Sequence, residues 1–198
     1  MFQLQKISNY GTTTPAVART VLQGSELLEL FVVPDEQKEG CKAVLLVLMR
    51  HILRCVEISD RISAEVAEGK ALVEKTGFQF HSQGRSVSLP VIADLHSNSE
   101  AFLQSSKLAL RETAQLVKPF YAVPHDHRFH KFASWSATKF GKDDQFTQII
   151  TQWEPWVKQI VDMRNAVDHP AQKPGGKLVT HNFRMEKGLI LAWFFSRN

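Results

Sequence analysis

Residues 44–56, Val44-Leu45-Leu46-Val47-Leu48-Met49-Arg50-His51-Ile52-Leu53-Arg54-Cys55-Val56, decide the fold class. Apolar residues at 44, 45, 48, 49, 52, 53 and 56 recur at three- and four-residue steps, which is the period of a helix and not of a strand. Working outward, Ile62 and Val66 carry the pattern on. Upstream, Asp35 reads as an N-cap, with Glu36 and Glu39 in the first turn, where the helix dipole favours acid. Lys75-Thr76-Gly77 ends the run. The spacing predicts one amphipathic helix of about ten turns, or two in series.

The flanks predict further helices. Asn9 to Pro15 is turn-rich, and Ala16 to Val33 reads as a short helix followed by an extended Leu30-Phe31-Val32-Val33, stopped by Pro34. Gly77 to Ser88 is a polar loop. Asn98 or Ser99 caps a second long helix built on Phe102, Leu103, Leu108, Leu110, Leu116 and Val117, closed by Pro119 and Pro124. Residues 125–142 form a connection rich in His, Phe and Trp. A third helix follows on Phe146, Ile149, Ile150, Trp153, Trp156, Val157, Ile160, Val161 and Met163, with a kink or restart at Pro155. After Pro170, Leu178 to Arg184 and Leu189 to Phe195 read as strands around Met185-Glu186-Lys187-Gly188, a hairpin over 178–195. The expected fold is mainly α: a single domain, 1–198, formed by an antiparallel bundle of three to four long helices with a short C-terminal β-hairpin.

The 198 residues, 43% hydrophobic and 22% charged, suffice for one core. No run of 18 apolar residues and no signal-peptide pattern occurs, so a soluble cytoplasmic protein with no membrane partner is expected. Cys41 and Cys55 lie too far apart along one helix to bridge within a chain, and read as buried thiols of a reducing compartment. A net charge of +4 leans toward an anionic partner but decides nothing alone. There is no phosphate-binding glycine loop, no nucleophile elbow and no paired-carboxylate site, and no cofactor is expected.

The chemistry concentrates at Arg164-Asn165-Ala166-Val167-Asp168-His169-Pro170. The residue before a proline is pushed out of the α region, so His169 should sit at or just past the helix end. A five-residue helical step turns by roughly 500°, so Arg164 and His169 do not stack on one face. Only a long arginine and a histidine freed by a helix break can converge there, an arrangement suited to a phosphate.

This stretch resembles the signature of the HEPN superfamily, an arginine followed four to six positions later by a histidine, with Asn165 as the polar residue after the arginine. The motif resemblance covers the helix from about 143 to 170; long helices with the motif on a late one support it, and the C-terminal hairpin would be a decoration. It implies a metal-independent endoribonuclease that is a homodimer, with motifs from two subunits meeting at a two-fold axis. His169 would be the base and Arg164 the cation that holds the developing phosphorane charge, with Asn165 orienting either. The resemblance also implies a toxin or defence effector, with an antitoxin or a nucleotidyltransferase as a partner. The alternative is a non-catalytic helical module for dimerisation or for RNA or nucleotide binding.

His125-Asp126-His127-Arg128-Phe129-His130 is a second cluster. His125, His127 and His130 are zinc-capable, but the spacing is not specific and no cysteine lies near, so a polar loop is the expectation. Arg128, with Lys131 and Lys139, can instead line an RNA groove. Phe140, Phe146, Trp153 and Trp156 read as core or dimer interface rather than base-stacking platforms. Arg50, His51 and Arg54 read as a solvated helix face.

Overall fold

A computed structural model describes residues 10–81, 86–121, 123, 128–169, 178–186, 189–191 and 194–197. The helices are α1 (Pro15–Val17), α2 (Gly24–Glu29), α3 (Asp35–Thr76), α4 (Leu95–Val117), α5 (Phe132–Phe140) and α6 (Gln145–Asp168). Ala18–Gln23 is a π-helical stretch joining α1 to α2, and Phe129–Lys131 is a 3-10 turn leading into α5. The strands are β1 (Gln79–His81), β2 (Ser86–Ser88), β3 (Leu178–His181), β4 (Arg184–Glu186), β5 (Leu189–Leu191) and β6 (Phe194–Arg197). The fold is thus mainly α with a C-terminal hairpin, as the periodicity predicts. Among the described residues, no helix is long and apolar enough to cross a membrane.

Contacts divide the chain into two units of two segments each. Unit 1 is Met1–Arg54 with Ser105–Lys158, and unit 2 is Cys55–Gln104 with Gln159–Asn198, so the divisions fall inside α3, α4 and α6. In unit 1, Leu28, Cys41 and Leu45 pack with Leu116 and Phe120. A Cβ at Gly24 would stand 3.0 Å from a Leu45 methyl, so glycine lets α2 lie close against α3. A second unit 1 cluster joins Ala114, Val123, Phe132, Ala133 and Ile150, with Tyr121 stacked on Phe146 at 5.1 Å. Phe132 is wholly buried there.

Unit 2 is organised around Ile58, Ile62, Ile92, Leu95 and Phe183. Strands β3 with β6 and β4 with β5 pair antiparallel in a single register, making two rungs of one hairpin with the break at Asn182-Phe183. The break has a cause. The Asn182 amide oxygen accepts from the Ile92 and Phe183 amides, and its nitrogen donates to the Ile92 carbonyl. Phe183 enters the core, its ring where a Cβ on Gly69 would come within 2.8 Å.

Several local expectations are corrected. Residues 30–33 are turn and bend rather than extended strand, because Leu30 and Phe31 close the end of α2 through bonds to Leu27 and Leu28. Helix α4 begins at Leu95, ahead of Asn98 and Ser99. Those two are buried inside it: Asn98 accepts from Arg61, and Ser99 donates to the Leu95 carbonyl. The 125–142 connection contains α5, ended by Gly141 at φ 94°. Helix α6 runs unbroken through Pro155, which costs a single ladder bond on a solvent-facing turn. The 77–88 loop carries the β1–β2 hairpin, and the C-terminal hairpin reaches Arg197.

Candidate functional site

The site is built at the end of α6. The helix starts cleanly because the Asp144 carboxylate accepts from the Thr147 amide at 3.2 Å. It ends at Asp168, and one further bond, His169 amide to Asn165 carbonyl at 2.9 Å, carries the helical pattern one residue on. His169 therefore stands directly past the helix and is exposed.

Arg164 lies one turn earlier and is largely shielded, its side chain only 15% exposed. Its Nε donates to the Gln104 side-chain oxygen on α4 at 2.5 Å, and its Nη1 forms an ion pair with Asp168. All of these residues lie in unit 2. The guanidinium is thus held from two sides, its orientation fixed and its charge partly balanced. Asn165 is half-buried. Among the described residues, no hydrogen bond joins the His169 ring to Arg164 or Asn165. The helix ends just before the histidine, and the Arg164 side chain is engaged by Gln104 on α4 and by Asp168 one turn further along α6.

The other predicted residues fall elsewhere. Arg128 is exposed ahead of the 3-10 turn, and Lys131 closes that turn half-buried. Lys139 lies over the Trp135 ring at 5.3 Å and the Phe140 ring at 5.4 Å, a cation–π arrangement that gives the ammonium a local partner. These three belong to unit 1, whereas Arg164, Asn165 and His169 belong to unit 2. His125 and His127 lie outside the described residues, and His130 sits half-buried in the 3-10 turn. Among the described residues, no group of three or more His, Cys, Asp or Glu side chains could hold a metal ion.

Trp153 and Trp156 do not join the core. Each is about half exposed, and the two rings meet edge-on at 6.2 Å. The core face of this stretch of α6 carries Ile150 and Val157. Neither Cys41 nor Cys55 is in a disulfide; Cys41 is buried, and the half-buried Cys55 donates to the Phe102 carbonyl at 3.8 Å. Burial pushes the Cys41 thiol above its ordinary range, which makes it a poor nucleophile.

Sequence reasoning missed a buried polar group in unit 1. Glu112, 5% exposed, accepts from Arg111 through two nitrogens at 3.1 and 2.9 Å and from Gln115 at 2.9 Å. His51 is half-buried rather than solvated. Burial is the main reason that its pKa falls below the usual histidine value; the Glu112 charge opposes this and the Arg111 charge adds to it. The signal lay in Glu112 itself, a charge on the face of α4 that also carries Leu108 and Leu116. Gln104, the partner of Arg164, had no such signal, being one of many polar residues on α4.

No family model matches this sequence, and neither does any curated protein or solved structure.

Proposed function

We propose that the protein is a metal-independent endoribonuclease of the HEPN kind, acting as a homodimer, with a toxin or defence effector as its biological role. The observation that carries this reading is the exposed His169 at the stop of α6, one turn beyond an arginine whose direction is fixed by Gln104 and Asp168. In the reaction, a neutral His169 takes the proton from the RNA 2′-hydroxyl, and that oxygen attacks the adjacent phosphorus. The 5′-oxygen leaves with a proton, giving a 2′,3′-cyclic phosphate and a 5′-hydroxyl end. Arg164 would balance the charge that develops on the phosphorane oxygens. One chain supplies one imidazole, and a second copy related by a two-fold axis would supply the acid.

One observation favours a second reading, a non-catalytic RNA-binding or dimerisation module. The Arg164 guanidinium is shielded and already paired with Asp168, which is how an arginine that only fastens a helix end behaves. Incubating purified protein with single-stranded RNA in chelator separates the two. The first reading expects cyclic-phosphate ends that disappear in His169→Ala with the helical circular dichroism unchanged. Binding without cleavage, or cleavage that survives the substitution, assigns the protein to the second.

A further inference from the structure

Helix α6 carries a second pattern beside the one that serves the core. Gln145, Ile149, Gln152 and Trp156 follow one another at steps of four, three and four residues. That is the spacing of a seam between two packed helices, and Trp153 flanks it. The core is served by a different face, through Ile150 and Val157. The described residues leave the seam uncovered: Ile149 is 49% exposed, Trp153 53% and Trp156 51%, and Gln145 and Gln152 are exposed as well. All five residues lie in unit 1. Two tryptophans and an isoleucine gathered in one exposed stripe mark an interaction surface, unlike apolar residues scattered singly.

Charge and area choose the occupant. Between Gln145 and Trp156 the only charged residue is Glu154. It stands two residues from both Gln152 and Trp156, and therefore about 200° around the helix from them. A stripe without charge offers no attraction to RNA phosphates or to anionic lipid headgroups. It does suit a copy of itself. Residues near a two-fold axis meet their own kind, so a lysine or glutamate there repels its twin. A glutamine carboxamide both donates and accepts, and can pair with another. Half-exposed, the two tryptophans and the isoleucine offer on the order of 300 Å² of apolar surface. Two copies thus bring together about 600 Å², and an interface a little over half apolar then covers about 1,000 Å² in all, the lower end of what a specific pair needs. Trp153 and Trp156 already brace each other edge-on at 6.2 Å, so little side-chain freedom is lost on docking.

We propose that this stripe binds a second copy of the chain, α6 of one protomer packing along α6 of its partner about a two-fold axis. Trp153 and Trp156 are the anchors, and the glutamines pair between the two chains. This gives a surface to the homodimer of the proposed function, yet it rests on residues of unit 1 and on no catalytic group.

Sedimentation velocity of the full chain from about 1 to 200 μM tests this. The mass should rise with concentration from 22.5 kDa toward twice that value. Tryptophan emission should shift to shorter wavelength over the same range, as the half-exposed indoles lose water. No ion pair is made, so the midpoint should move less than about threefold between about 50 and 500 mM salt. Trp153→Ser combined with Trp156→Ser should weaken the dimer at least about 100-fold. Gln152→Lys, at an exposed position, sets like charges into the seam and should weaken it about tenfold. Both variants should keep the native circular dichroism; if the tryptophan variant does not, Gln152→Lys decides. A chain that stays monomeric to about 200 μM overturns the proposal. So does a dimer that the variants leave unchanged, or an emission shift that RNA or anionic vesicles produce in a monomeric chain. A dimer lost in these variants that cleaves no RNA keeps the contact and removes the ribonuclease reading. A cleaving dimer that the variants leave intact does the reverse.

Discussion

At the scale of single residues, the decisive pair is Arg164 and Asp168. The carboxylate is about one-third exposed, so the pair contributes little to stability, on the order of 0–1 kcal/mol. Its larger effect is on the availability of the guanidinium. Asp168→Asn should therefore leave the melting temperature within a few degrees while raising RNA affinity several-fold at low salt, measured by fluorescence anisotropy. His169→Ala should reduce cleavage by about 10²- to 10⁴-fold, the span of a lost general base. His51 gives a pH prediction. Its pKa is lowered in the folded state, so the unfolded chain binds the proton more readily. Its contribution is fully present above the unfolded histidine value near 6.5 and is lost as pH falls below it. Melting temperatures measured from pH 7.5 down to 5.5 should fall, and His51→Gln should flatten the slope.

At the scale of elements, how legible the sequence is depends on length and period. Helix α3 was readable because its apolar set repeats over many turns, and α6 because Ile150, Val157 and Ile160 keep the step. Helix α5 was hidden: Phe132 to Phe140 is nine residues interleaved with Ser134, Ser136 and Thr138, too short and too polar for a periodic signal. The β1–β2 hairpin escaped for the same reason, with one apolar residue in each three-residue strand. Of the kink or restart that Pro155 predicts, the restart does not occur, because an exposed turn tolerates the lost bond. At the candidate site, the helix stop at His169 follows from Pro170, whereas the Arg164–Gln104 bond joins residues 60 apart and no local pattern announces it. The Asn182 clip is likewise invisible from sequence. Its removal in Asn182→Ala leaves the backbone amide and carbonyl of Ile92 short of partners and should cost about 1–3 kcal/mol in urea unfolding.

At the scale of the whole molecule, the buried apolar side chains among the described residues gather in two clusters in unit 1 and one in unit 2. The composition could bound the total apolar content but not its partition, which follows from where α3, α4 and α6 cross from one unit to the other. A homodimer predicts a light-scattering mass twice the 22.5 kDa of one chain. A surface of net charge +4 that engages RNA phosphates predicts affinity falling steeply between about 50 and 200 mM salt.

Phe183 reaches its place in the core of unit 2 from a hairpin some 120 positions after Ile62. During synthesis, the isoleucines at 58, 62 and 92 must therefore wait for the C-terminal hairpin to be made before Phe183 joins them. Such late, long-range closure slows folding and leaves sticky surface uncovered meanwhile. A chain cut after residue 177 should accumulate as aggregate in cells, and co-expression with a chaperone should rescue the intact chain more than the shortened one.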